Sequence, residues 1–562
     1  MMTSTIGDFL LRRLSEAGIK HLFGVPGDFN LEFMQQIEDN DTLAWVGTCN
    51  ELNASYAADG YGRLNGMAAL VVTNGVGALS AINGVAGSNS EHVPVICVCG
   101  SLPLRSVDQR LLMHHTPADG SVNTVYRAYE QSTAAQARIT PQNAVTEIDR
   151  LIITAWQLKR PVYLELPSDI AYLDIQVPEE PLRLAAPASD ADRLQAATSA
   201  IAARLSAAAA PAIILDLDAD RFGVLGEVME LAEKLAMPVA TMQSSKAVID
   251  ETSPNFVGLY AGAGSAPVTR KAIEKSDCLL AFGYRRVDLP TGCFTDNIPD
   301  SAIHLHAYSA DVDGVNYQAV TLKELMGALV DAVGPVTGRQ VARPGPMPVA
   351  TNLPPAAGKL TQGEYWAAIQ EFIREGDVLI AEDGTANGGA WQLNLPPGCT
   401  FVTQAVWGSI GYSVGSTLGT LMAAPHRRHL LFVGDGSFQL TAQEISTMLR
   451  HDLKPIIFLV NNGGYTIERT ILGKSARYNA VANWAYAQLP QVFHPGTTAR
   501  SFTVTTFNDL KEALAVPHDS MIFIESVMDP IDAPDLLITA GLGSANLDFG
   551  PRGPQSRPGI RI

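Results

Sequence analysis

The sequence predicts an α/β protein built from three doubly wound parallel-sheet domains. Three observations predict it. Short apolar runs alternate with longer amphipathic stretches, the pattern of βα units whose strands are buried on both faces. Proline-rich segments at 174–189 and 334–355 interrupt that alternation. At 562 residues the chain also exceeds what one core can hold. With 47% hydrophobic and 17% charged residues it has the composition of a compact folded protein, not of a disordered one.

The first block covers residues 1–180. It opens with a helical stretch at 6–17 and continues with strand runs at 68–73 and 94–99. The run at 160–167 closes it as a strand, and the acidic, proline-bearing segment 174–189 reads as a linker. The second block, 190–335, begins with an alanine-rich helix at 191–208, then strands at 211–215 and 277–283. A second linker follows, with prolines at 335, 344, 346, 348, 354 and 355. The third block spans 360–540. After Pro534 the periodicity fades, so 541–562 reads as a C-terminal tail, rich in Pro, Gly and Arg from Gly550 and frayed there.

The third block carries the densest signal. The apolar run 429–433 ends at Gly434-Asp435-Gly436, and the run 455–460 ends at Asn461-Asn462. Between them, Thr441-Ala442-Gln443-Glu444 predicts a capping box opening a helix with Ile445, Met448 and Leu449 on one face. Ligands of an open parallel sheet bind where its strands finish, so Asp435 and Asn462 should reach one rim from neighbouring strands. Two hard oxygen ligands suit Mg²⁺, which prefers few protein ligands plus phosphate oxygens. Gly434, Gly436 and the adjoining Ser437 leave room for backbone N–H groups to approach a diphosphate. Either motif alone is an ordinary turn or loop. Closing two buried strands at this separation is what makes the pair informative.

This arrangement resembles the signature of thiamine-diphosphate enzymes. The resemblance implies a pyrimidine-binding domain (1–180), a central domain (190–335) and a diphosphate-binding domain (360–540). It implies thiamine diphosphate and Mg²⁺ as cofactors, with Asp435, Asn462 and the Gly464 carbonyl as metal ligands. The cofactor also needs a carboxylate beside its aminopyrimidine ring. Cys49-Asn50-Glu51 and the small-residue stretch to Gly60-Tyr61 match the family's N-E-x-x-A-x-x-A-x-x-G-Y pattern, which gives Glu51 that role. Without the resemblance, Glu51 is an ordinary acidic residue at a helix start. In Trp407-Gly408-Ser409-Ile410-Gly411, Ile410 corresponds to the apolar wedge that bends the cofactor, and the Gly408 carbonyl to an acceptor for its amino group. Gly384 and Tyr465 complete the implied cofactor contacts.

Three further segments narrow the resemblance to the 2-oxo acid decarboxylases. The run from Gly24 to Leu31 resembles their G-x-x-G-D-x-N-L turn and singles out Asp28. Met113-His114-His115-Thr116 resembles their paired histidines, and Gly464-Tyr465-Thr466-Ile467-Glu468 their G-Y-x-x-E. Asp28, His114, His115 and Glu468 are thereby implied in proton transfer. There are departures. Pro117 follows the histidines and removes a backbone donor. Asn387 stands where pyruvate-specialised relatives carry a bulky Trp, and Ile467 and Ile471 would line the same pocket. The segment 289–295 resembles the indolepyruvate and branched-chain members. The implied reaction is non-oxidative decarboxylation of a 2-oxo acid to an aldehyde and CO₂. Aromatic or branched substrates of the indolepyruvate or phenylpyruvate type are expected, with pyruvate possible. The alternatives are a carboligase of acetolactate-synthase type and an inactive regulatory relative.

The resemblance also implies a homodimer or dimer of dimers, each site taking Glu51 from one subunit and Asp435 from the other. A net charge of −18 and a pI near 5.0 argue against nucleic-acid or anionic-membrane partners. No apolar run is long enough to suggest a membrane span, and the N-terminus lacks the features of a signal peptide. Six scattered cysteines without zinc spacing lead us to expect a reducing cytoplasm.

Overall fold

The computed structural model describes residues 1–343, 345, 349, 351 and 358–547. In the first domain the strands are β1 (Met2–Thr5), β2 (His21–Gly24), β3 (Ala44–Gly47), β4 (Ala68–Thr73), β5 (Val95–Ser101), β6 (Ala135–Arg138), β7 (Val162–Pro167) and β8 (Asp174–Val177). Six of them form a parallel sheet in the order β3-β2-β4-β5-β7-β6. β1 and β8 form a separate antiparallel pair, with Met2 opposite Val177 and Thr5 opposite Asp174. The start of the expected linker at 174–189 is therefore a strand. Its Val177 is buried in the domain core, which the acidic and proline content of the segment concealed.

The central domain contains β9 (Pro211–Leu215), β10 (Val239–Thr241), β11 (Phe256–Leu259), β12 (Cys278–Phe282), β13 (Ile303–His306), β14 (Ser309–Val312) and β15 (Val315–Gln318). Their order is β11-β10-β9-β12-β13-β14-β15. The first five pair in parallel, but β13, β14 and β15 form an antiparallel meander at the edge. Its second turn is Asp313-Gly314, both with positive φ (50° and 80°), the two-residue connection that matches strand twist.

The third domain contains β16 (Val378–Ala381), β17 (Thr400–Val402), β18 (His429–Gly434), β19 (Ile456–Asn461), β20 (Arg500–Val504) and β21 (Ile522–Val527). They form an all-parallel sheet in the order β17-β16-β18-β19-β21-β20. Gly434 pairs with Val460, so β18 and β19 finish side by side. A helix, Asp535–Leu547, follows the last strand where the sequence suggested fading periodicity. The stretch from Gly550 lies outside the described residues. Among the described residues no helix is long and apolar enough to cross a membrane.

Alternate side chains of each sheet enter separate cores on its two faces, as doubly wound sheets require. Leu70 and Val72 face one core of the first domain, Ala69 and Val71 the other. The first of these cores continues into the third domain through Val378, Leu431 and Ile457. The two domains meet along the helices Glu51–Asn65 and Tyr412–Ala423. Glycine makes that approach possible. A β-carbon on Gly419 would lie 1.8 Å from the Ala57 carbonyl, and one on Gly60 would lie 2.2 Å from the Ser416 carbonyl. Buried Asp59 ties the contact together, accepting from Tyr412 Oη at 2.5 Å, Arg63 Nε at 2.6 Å and Ser88 Oγ at 2.8 Å.

Candidate active site

The C-terminal rim of the third sheet encloses a cavity of about 320 Å³. Gly384 follows β16, Gly434 to Ser437 follow the core of β18, and Asn462, Gly464 and Tyr465 follow β19; all line it. So do Gly408, Ile410, Ile467, Glu468 and Ile471. The neighbouring strand ends thus deliver the motif residues to one space, as their spacing predicts.

Asp435 is 1% exposed and opens the short helix Asp435–Thr441. Its Oδ1 accepts from Gly436 N at 2.8 Å and its Oδ2 from Gly464 N at 3.0 Å. Burial pushes its ionisation up to about 6, opposed by hydrogen bonds from the backbone of Gly436, Gly463 and Gly464. No ion pair compensates this carboxylate among the described residues. Asn462 is 3% exposed and donates through Nδ2 to Thr466 Oγ1 at 2.8 Å, leaving its amide oxygen as a ligand atom. Gly464 adopts φ +123°, and a β-carbon there would lie 2.0 Å from the Asn479 carbonyl, so only glycine fits. A buried carboxylate without an ion pair, an amide oxygen and glycine backbone on one wall fit a hard divalent ion carrying a diphosphate.

Asp28, Glu51, His114 and His115 lie on the C-terminal rim of the first sheet, and none of them lines the cavity of the same chain. Asp28 follows β2, and His114 Nε2 stands 2.6 Å from its Oδ2. His115 Nδ1 is 3.9 Å from Asp28 Oδ1. Ligand atoms of the three lie within 4.8 Å of one another, a spacing that suits proton exchange. Phe29 stacks on His114 at 4.9 Å between ring centroids. His115 is held at φ +58°, its carbonyl accepting from Asn74 Nδ2 at 3.2 Å. Glu51 opens its helix as expected, with Asn50 Oδ1 capping Asn53 N at 2.8 Å. Its Oε1 is 3.1 Å from the position of a β-carbon on Gly77, beside Thr73 at the end of β4. The Glu51 carboxylate has no hydrogen-bond or ion-pair partner among the described residues.

Two expectations need correction. Asn387 does not face the cavity. It is 1% exposed on the helix Thr385–Ala390 and turns inward, donating to Thr403 Oγ1 at 2.7 Å and Asp383 Oδ1 at 3.1 Å. The capping box at Thr441 does not form either. Thr441 Oγ1 donates to the Gly411 carbonyl at 2.6 Å, and Glu444 accepts from Asn53 Nδ2 at 2.6 Å across the domain contact. The helix accordingly breaks into Asp435–Thr441 and Glu444–Arg450.

The structure also adds residues that the motifs did not reveal. Asp383 lines the cavity, as do Leu289 and Gly292 from the central domain and Leu536, Leu537 and Ala540 from the C-terminal helix. Leu537, Gly541 and Ala545, buried four residues apart, were the available signal for that helix. Next to Asp383, buried Glu382 accepts from Gly411 N, Ser413 N and Ser413 Oγ, at 3.1, 3.1 and 2.7 Å. Burial pushes it up to about 7 despite these bonds.

Comparison with known proteins points to one family over most of the chain. Three family profiles match, all described as thiamine pyrophosphate enzyme: the N-terminal TPP binding domain over residues 4–122, the central domain over 198–333 and the C-terminal TPP binding domain over 384–526. The chain is 40% identical over 544 residues to an alpha-keto-acid decarboxylase of Mycolicibacterium paratuberculosis, covering 95% of both chains. It is 39% identical over 550 residues to a pyruvate decarboxylase of Aspergillus fumigatus, again covering 95% of both.

Proposed function

The chain belongs to the thiamine pyrophosphate enzymes, among their 2-oxo acid decarboxylases, and from that premise we propose that it converts an aromatic or branched 2-oxo acid to the aldehyde and CO₂ in a Mg²⁺-dependent reaction. The observation that carries the reading is the convergence of Gly408, Ile410, Asp435, Asn462 and Gly464 on one cavity. The preference for a large side chain is supported by apolar walls from Ile467, Ile471, Leu536 and Leu537. Burial there gains roughly 25 cal/mol per Å² of apolar surface, so the larger area of a phenyl or indole group gains more than a methyl group.

When bound, thiamine diphosphate supplies the electron sink for cleavage of the carbon–carbon bond. Asp435, Asn462 and the Gly464 carbonyl would hold Mg²⁺. Ile410 and Gly408, both on the cavity wall, would orient the cofactor rings. Glu51 would hydrogen-bond the aminopyrimidine ring and hold a proton there. The overall change, a 2-oxo carboxylate plus one proton to aldehyde plus CO₂, requires a proton at the carbonyl carbon. Asp28, His114, His115 and Glu468 hold and deliver protons for it.

Glu51 and Asp435 lie on different rims of one chain, and Asp28, Glu51, His114 and His115 are absent from the cavity of that chain. We therefore take the working enzyme to be a homodimer or dimer of dimers in which the first domain of one copy closes the cavity of the other. Exposed Val76, Leu79, Trp407, Ile410 and Leu440 give that contact an apolar surface. A cytoplasmic setting fits the six cysteines, all of them free.

The test is a panel of pyruvate, phenylpyruvate, indolepyruvate, a branched-chain 2-oxo acid and benzoylformate, assayed with and without thiamine diphosphate and Mg²⁺. Aldehyde formation from an aromatic or branched acid, with a higher kcat/KM than from pyruvate, is expected. Hydroxyketone as the main product, or a strong preference for pyruvate, would contradict the proposal.

A further inference from the structure

Asp383 lies two residues past the end of β16 and lines the cavity, as do Gly384, Gly408 and Ile410. Its two oxygens have different surroundings. Oδ1 accepts from Asn387 Nδ2 at 3.1 Å, and Asn387 is itself anchored on Thr403 Oγ1 at 2.7 Å. Oδ2 lies against Gly408, 3.2 Å from the position of a β-carbon there, and has no hydrogen-bond partner among the described residues. The buried amide of Asn387 thus fixes the carboxyl group while its second oxygen remains available in the cavity.

The charges facing this group are negative. Glu382 adjoins it in sequence and Glu91 acts on it from the first domain. Asp435, Glu468 and Asp288 share the cavity walls. No cation pairs with Asp383 among the described residues. Burial, then the charge of Glu382, push its ionisation up to about 8, with Asn387 opposing. An ionised Asp383 would repel any carboxylate entering the cavity, whereas the neutral acid presents an O–H donor. A buried carboxylic acid kept neutral so that it can donate is an attested catalytic device.

We propose that Asp383 is a specificity residue of this site, donating a hydrogen bond from its carboxyl group to the carboxylate of the incoming 2-oxo acid. The proposal rests on the reading that 2-oxo acids react in this cavity. Asn387 is then a positioning residue that holds the donor in place.

The test uses the holoenzyme with thiamine diphosphate and Mg²⁺, and 3-phenylpropanoate as a non-reacting carboxylate. Its own carboxyl group stays ionised between pH 6 and 9, so any pH dependence of binding arises in the protein. Calorimetry should give constant affinity at low pH and a fall approaching tenfold per pH unit above about pH 8, as Asp383 ionises. Asp383→Asn keeps a neutral donor, so its affinity should stay within about threefold of wild type at pH 6 and lose the alkaline decline. The alkaline limb of kcat/KM for phenylpyruvate should vanish with it. Asp383→Leu should bind about tenfold or more weakly at pH 6, the loss of one hydrogen bond to a charged group. An unchanged alkaline decline in Asp383→Asn would overturn the proposal. So would full affinity in Asp383→Leu. If wild type releases no aldehyde from any acid, the reaction assignment fails, while an Asn-sensitive decline in 3-phenylpropanoate binding would still establish the donor.

Discussion

Asp435 is buried without an ion-pair partner among the described residues, and its ionisation rises to about 6 because of that burial. A folded-state value above the unfolded one means that the group favours folding below the unfolded value near 4, and that this contribution is lost as pH rises through about 6. Asp435→Asn should therefore raise the melting temperature of the apoprotein at pH 8 more than at pH 5, while weakening Mg²⁺-dependent cofactor binding by an order of magnitude or more, about 1.4 kcal/mol. Scanning calorimetry at the two pH values and a cofactor titration would check both halves. Equal stability changes at pH 5 and 8 would mean that the ionised carboxylate is not under strain. Glu51→Gln should leave the fold and cofactor affinity intact but lower turnover at least about 100-fold, the usual effect of losing an acid–base partner. Hydrogen exchange at the thiazolium C2, followed by NMR, should fall in parallel; a near-normal exchange rate would refute the role. At this scale the placing of Asp435 and Asn462 on one rim could be read from sequence, because each directly follows a buried apolar run. Asn387 could not, because which side of a one-turn helix faces the cavity depends on Thr403 and Asp383, whose positions only the fold supplies.

Helices decide how the two rims are held. A β-carbon on Gly419 would lie far inside contact distance of the Ala57 carbonyl, so Gly419→Ala must push apart the helices Glu51–Asn65 and Tyr412–Ala423. We expect a loss of about 1–3 kcal/mol in denaturant unfolding. In the helix Leu322–Ala332, a β-carbon on Gly327 would meet nothing within 4 Å, so Gly327→Ala should instead stabilise by roughly 0.4–1 kcal/mol. Opposite signs are the expected result; two equal effects would show that the close approach does not constrain the first pair. The helix Asp535–Leu547 is the other informative element. Deleting it after Pro534 removes Leu536, Leu537 and Ala540 from the cavity wall. Cofactor binding should survive, and kcat/KM for phenylpyruvate should fall about tenfold or more, the value of some tens of Å² of apolar contact. Steady-state kinetics on phenylpyruvate and pyruvate, with the ratio unchanged, would exclude this helix from substrate choice. Central strands such as β4, β5, β9, β18 and β19 were legible because they are apolar runs buried on both faces. This helix was not, because its residues serve a cavity instead of a continuous core and so lack a full apolar stripe. The expected capping box failed for a related reason: Glu444 is drawn across a domain contact to Asn53, a partner nearly four hundred residues away in sequence.

On the scale of the whole molecule, three α/β domains bring their chemistry to two separate rims. One chain presents Asp28, Glu51, His114 and His115 on the first and the cavity with Asp435 and Asn462 on the third. Three doubly wound domains were legible from the alternation of apolar runs, but the antiparallel edge β13-β14-β15 was not, since its short strands carry mixed polar residues. In the proposed assembly the two rims work only when paired between copies. Co-expression of Glu51→Gln and Asp435→Ala chains tests this most directly, with phenylpyruvate, thiamine diphosphate and Mg²⁺ supplied and aldehyde measured. Each variant alone should be nearly inactive. Random pairing in a two-fold symmetric dimer would make half the dimers mixed, each with one intact site, so the co-expressed enzyme should recover about a quarter of wild-type activity. Activity no higher than that of either variant alone, from dimers shown by tagging to contain both chains, would contradict pairing of the rims between copies.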